Sequence, residues 1–164
     1  MVQPMSFPTV QRKRLLVVDD NDHDVYLLMW GLGKDPCSPA THRAADGLEA
    51  MTYLQDCLER QNPAAHLPAL ILLDIKMPRV TGFEVLDWIR FQPALRHIPV
   101  YMLSSSSLEA DVIKAKEAGA SGYWQKPSGL EGYLDIVLRI NGLLLIPSPA
   151  VDTHLQLSPS GQPS

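Results

Sequence analysis

Cysteine is scarce in this chain. Cys37 and Cys57 are the two among 164 residues, with no metal-like spacing and no companions. A disulfide scaffold is excluded, and reduced thiols in a cytoplasmic protein are the expectation. Long apolar runs are missing as well: none approaches the roughly 18–20 residues that a membrane helix needs, so no membrane contact is expected. The opening "MVQPMSFPTVQRKR" lacks the apolar middle section of a signal peptide. Clustered positive charge is equally sparse. The formal net charge is -4, and the basic cluster "QRKR" at 11–14 is short and sits just before a strand-like run. Nucleic acid is therefore not the expected partner, because non-specific phosphate binding wants clustered Lys and Arg. His23, His42, His66, His97 and His154 show no ligand spacing.

What the chain does have is alternation. "RLLVVDD" (14–20) is a short continuous apolar run, the pattern of a strand buried on both faces. "HDVYLLMWGLG" (23–33) then has helical spacing at Val25, Leu28, Met29 and Leu32, with Gly31 and Gly33 as its stop. A weak strand over 38–44 precedes a helix over 46–60. There Asp46 and Glu49 are spaced as a capping box, and Leu48, Met51, Leu54 and Leu58 form a stripe. "ALILLD" reads as the strongest strand, followed by a helix at 82–90, a strand at 98–103 and a helix at 107–119. A strand at 121–126 and a last helix at 130–145 complete the series. Five strand–helix units in succession predict an α/β, doubly wound, flavodoxin-like (βα)5 fold. Its parallel five-stranded sheet has order 2-1-3-4-5. In that order ligands bind at the carboxyl ends of the strands, where the direction of winding reverses.

That edge is where the unusual residues fall. The first strand ends in Asp19 and Asp20, and the third ends in Asp74. Like charges gathered in a cleft repel, and a hard divalent cation such as Mg²⁺ resolves the repulsion with oxygen ligands. A carboxylate beside such an ion can also act as a nucleophile towards phosphorus. The fourth strand ends in Ser104, a hydroxyl donor, and the fifth in Lys126, a mobile positive charge for a transferring phosphoryl group. Taken singly, each residue has an ordinary role: strand-end carboxylates are turn or cap residues, and Ser104 to Ser107 reads as loop and helix cap. Their conjunction at one edge is the signal.

"LLVVDDND", "LILLDIKMPRVTGFEVL", "VYMLSSSS" and "GASGYWQKP" resemble the successive signatures of a two-component response-regulator receiver domain. The resemblance runs from about residue 14 to 142, with 1–13 as an N-terminal extension and 143–164 as a C-terminal tail or dimerisation arm. It implies that Asp74 is the phosphoacceptor towards a sensor histidine kinase, and that Asp19, Asp20, Asp74 and the Lys76 backbone carbonyl bind Mg²⁺, with Mn²⁺ able to substitute. By the same resemblance Ser104, Ser105 and Lys126 bind the phosphoryl group, Ser104 and Tyr123 form the switch, and Lys76 and Ser106 tune phosphoryl lifetime. A cis bond before Pro127 is implied too. The expected output is a protein contact: a stand-alone regulator, forming a homodimer through the fourth helix, fifth strand and last helix together with the C-terminal arm. The "QNPAAHLP" connection and the extension resemble regulators paired with bacterial phytochromes.

Two other classes compete. A flavodoxin-like binder would cradle a flavin phosphate in "LSSSS", but leaves the three carboxylates and Lys126 unused. A phosphohydrolase of the aspartyl-phosphate type needs a second acid two residues after its nucleophile, where this chain has Lys76. Within the receiver family, a folded but never phosphorylated member is the alternative, and the filled chemical positions argue against it. Trp30 and Trp88 are expected in the core, and Trp124 beside Tyr123 is a candidate reporter of the switch.

Overall fold

The structure, a computed structural model, describes residues 12–145. The tail or arm beyond residue 145 and the first eleven residues of the N-terminal extension lie outside the described residues. Five strands alternate with five helices: β1 (Arg14–Val18), α1 (Asp22–Gly33), β2 (Ala40–Ala44), α2 (Gly47–Glu59), β3 (Leu70–Leu73), α3 (Gly82–Phe91), β4 (Val100–Ser104), α4 (Glu109–Glu117), β5 (Gly122–Gln125) and α5 (Leu130–Leu145). The sheet is parallel throughout, in the order β2-β1-β3-β4-β5. The doubly wound fold expected from the sequence is the one observed.

Side chains of a strand alternate between faces, and here the alternation builds two cores. Leu16, Val18, Ile71, Leu73, Val100 and Met102 face α2, α3 and α4. Leu15, Val17, Leu70, Leu72 and Leu103 face α1 and α5. All four residues of β3 are buried, which is why its sequence reads as one apolar run. Each such side chain contributes about 1.5–3 kcal/mol on leaving water.

The helices start where polar residues can satisfy free backbone N–H groups. The Asn21 side chain accepts from His23 and Asp24, and the Asp46 side chain from Glu49. Glu49 itself returns to the N–H of Ala45 rather than of Asp46. Thr81 and Glu84 form the reciprocal capping box. The stripe of α2 is also rotated from the expected one. Ala50, Leu54 and Cys57 are buried, Met51 and Leu58 pack against the core partly buried, and Leu48 is 53% exposed. Met29 and Trp30 are each 38% exposed rather than core, and the Lys34 ammonium lies over the Trp30 ring. Trp88 does pack against the core.

Candidate functional site

Backbone pairing carries the site residues one step past the strands. The N–H of Asp19 donates to the Ala44 carbonyl at 3.1 Å, that of Asp74 to Val18 at 2.9 Å, and that of Lys126 to Ser104 at 2.8 Å. Asp19, Asp74 and Lys126 are thus set by the sheet itself and not by a mobile loop. After Asp74 the chain turns sharply. Arg79 adopts a left-handed φ of 68°, and Gly82 packs so close that a Cβ there would lie 2.1 Å from the Asp74 carbonyl oxygen. Only glycine fits beneath the acid. The Arg79 side chain pairs with Asp46 and ties this turn to the start of α2.

Asp19, Asp20 and Asp74 each bring a carboxylate oxygen within 4.8 Å of the others. Asp19 and Asp74 are buried, and Asp20 is exposed. Lys126 lies between them: its Nζ is 2.7 Å from Asp19, 3.1 Å from Asp24 and 3.4 Å from Asp74. Burial is the main force on Asp74 and pushes its carboxyl up to about 6. The charge of Asp19 adds to this, while Lys126 and the Lys76 backbone N–H oppose it. Asp19 is raised by burial too, against its bonds from Lys126 and the Asn21 N–H. Burial disfavours the charge on Lys126, but the bond and charge of Asp19, then Asp74 and Asp24, outweigh it and hold the ammonium above the usual lysine range. One lysine does not balance this many acids. An all-oxygen donor set with excess negative charge suits a hard divalent cation, and Asp19, Asp20 and Asp74 are the residues that fit it.

On the neighbouring strands, Ser104 is fully buried and its hydroxyl accepts from the Ser106 N–H at 3.2 Å. The Ser106 hydroxyl in turn donates to Asp111. Tyr123, half-buried on β5, donates its hydroxyl to the Ser106 carbonyl at 2.8 Å. Ser105 and Lys76 are exposed. The Lys126–Pro127 bond is trans, with no cis bond among the described residues, which corrects the expected cis isomer. Trans is the intrinsically favoured form by about 0.5–1 kcal/mol, and Lys126 meets its three carboxylates with that isomer in place.

Two residues at the site have no counterpart in the expectation. Asp24 contributes a further carboxylate, and Arg43 of β2 donates from Nε and Nη2 to the Asp19 carbonyl, at 3.3 and 3.2 Å, while pairing with Asp22 at 2.6 Å. An acid in a helix's first turn is ordinary on dipole grounds, so Asp24 carried no signal of its own. Arg43 sat in a strand too weak to be given a register.

The fold and the site define a doubly wound α/β protein with a metal-competent acid cluster closed by a lysine at the switch point of its sheet. Residues 15–138 match the response regulator receiver domain, and the chain belongs to that family of two-component signalling proteins. The polar-differentiation response regulator DivK of Brucella anthropi is 29% identical over 128 residues, covering 76% of this chain and 93% of its own. The phosphorylated cyanobacterial phytochrome response regulator RcpA is 33% identical, with a TM-score of 0.73 over 84% of this chain and 96% of that one. The Mn²⁺-bound form of response regulator Rcp1 is 32% identical, with a TM-score of 0.70 over 83% and 96%.

Proposed function

We propose that Asp74 accepts a phosphoryl group from a phosphohistidine of a sensor histidine kinase, with Mg²⁺ at the acidic site. One observation carries this reading: three carboxylates converge within 4.8 Å, and Lys126 bridges Asp19 to Asp74. In the transfer an Asp74 oxygen attacks phosphorus. The O–P bond forms as the N–P bond breaks, and the imidazole leaves with the electron pair.

Asp19, Asp20, Asp74 and the Lys76 backbone carbonyl hold the cation, and Mn²⁺ substitutes, in line with the Mn²⁺-bound relative. When bound, the cation neutralises charge shared between carboxylate and phosphoryl oxygens. Ser104, Ser105 and Lys126 receive the phosphoryl oxygens, and exposed Lys76 with buried Ser106 governs how long the group survives. New acceptors on Asp74 bias a two-state equilibrium. As Ser104 moves towards them, the Ser106 loop shifts and Tyr123, hydrogen-bonded to that loop, turns with it. The face of α4, β5 and α5 is the output surface and, with the segment after residue 142, the homodimer contact. The likeness to RcpA supports a phytochrome-type kinase as partner, and residues 14–142 form the receiver, working in the cytoplasm.

Intact mass after incubation with acetyl phosphate and Mg²⁺ tests the chemistry. One phosphoryl adduct is expected, absent with chelator and absent in Asp74→Asn. No adduct together with no binding of beryllofluoride, which mimics a phosphoryl group on a carboxylate, would overturn the reading.

A further inference from the structure

Lys126 has three N–H donors, and in this structure three carboxylates surround them. The contacts are uneven. Asp19 and Asp24 lie at 2.7 and 3.1 Å, whereas Asp74, the group whose chemistry the lysine is to serve, is the most distant at 3.4 Å. Asp24 is the outsider among them. It sits in the first turn of α1, beyond the strand ends, and its N–H is held by the Asn21 side chain that caps the helix. The cap fixes where Asp24 sits in the first turn, and Lys126 is the partner its carboxylate meets there. Its side chain is 20% exposed and that of Lys126 only 9%, so their contact lies at the edge of the buried site.

We infer that Asp24 is a positioning residue for the phosphoryl site: a counter-anchor that draws Lys126 away from Asp74 and thereby weakens retention of the phosphoryl group while strengthening the hold on the cation. This rests on Asp74 being the phosphoacceptor. The two effects have separate origins. Asp24 occupies an ammonium donor that a phosphoryl oxygen would otherwise take, and its negative charge repels an incoming dianion. The same negative charge attracts a divalent cation at Asp19, Asp20 and Asp74. A charge-assisted hydrogen bond is stronger than a neutral one, and partial exposure of Asp24 limits what its loss can change to roughly tenfold.

The consequence is a pair of changes with opposite signs. In Asp24→Asn, titrated by calorimetry, Mg²⁺ alone binds about 3-fold more weakly. With Mg²⁺ saturating, beryllofluoride binds about 3- to 10-fold more tightly, and the acetyl-phosphate adduct persists longer in proportion. Asp24→Glu, which keeps the charge, stays nearer the parent in both measurements. A merely structural Asp24 would weaken both ligands together, and a bystander would change neither; either result overturns the inference. A parent protein that takes no beryllofluoride would break the phosphoacceptor reading, and this one with it. A parent that binds it with an affinity unchanged in Asp24→Asn would break this inference alone.

Discussion

The acid-bearing strands β1 and β3 and the edge formed by α4 and β5 are built to different standards. On the β1–β3 side every residue of β3 is buried, the acids are placed by backbone hydrogen bonds, and α1, α2 and α3 all carry side-chain caps. On the β4–β5 side, β5 is half-exposed and α4 buries Ala115 alone and has no side-chain cap. Leu108, Val112 and Ile113 stand exposed there. Few buried apolar contacts are the mark of a segment that opens at low free-energy cost. The molecule thus sets a fully buried strand beneath the acid cluster beside a more exposed edge at α4 and β5.

The sharpest break of this comparison is a pair of truncations. Leu72→Ala removes a fully buried side chain from β3 and is expected to cost about 2–5 kcal/mol, whereas Val112→Ala on α4 stays within about 0.5 kcal/mol. Urea unfolding of both variants measures the contrast, and equal losses would contradict it.

Next in size is the cost of keeping Asp74 charged. Its folded pKa of about 6 lies above the ordinary 3.8, so the folded state binds this proton more tightly than the unfolded state. The resulting stabilisation is present below about pH 4 and is lost as pH rises through about 6. In chelator, Asp74→Asn should therefore gain on the parent across that window, by on the order of 1–3 kcal/mol. A gap that does not widen between pH 4 and 7 would show that the carboxyl is not raised.

A smaller effect is expected at Tyr123. Tyr123→Phe deletes one hydrogen bond to the Ser106 carbonyl, worth about 1 kcal/mol, and should speed amide exchange in the loop before α4 while leaving β1 and β3 unchanged. Uniform acceleration across the sheet would mean the halves are coupled more tightly than their packing implies.

Much of this was legible in the residues, for reasons that differ between the halves. A strand buried on both faces has to be apolar throughout, so a carboxylate closing "LILLD" stands out, and right-handed crossovers then leave few ways to order five strands. Asp24 was not legible, because its meaning comes from a lysine 102 positions later in the chain. Nor was Arg43, whose role depends on the register of β2 against β1. Trp30 shows the limit of reading large aromatics as core: it lies on an outer helix face, 38% exposed, with the Lys34 ammonium over its ring.

The short fifth strand and the proline after it have a consequence unrelated to phosphorus. β5 is an edge strand, paired with β4 on one side, and such an edge is a template on which another chain can assemble. Here it is four residues long, and Pro127, two residues beyond its end, has no N–H to offer an incoming strand. The shortness of β5 and the proline just past it therefore leave little template for fibrous growth. Replacing Pro127 would test solubility as much as signalling.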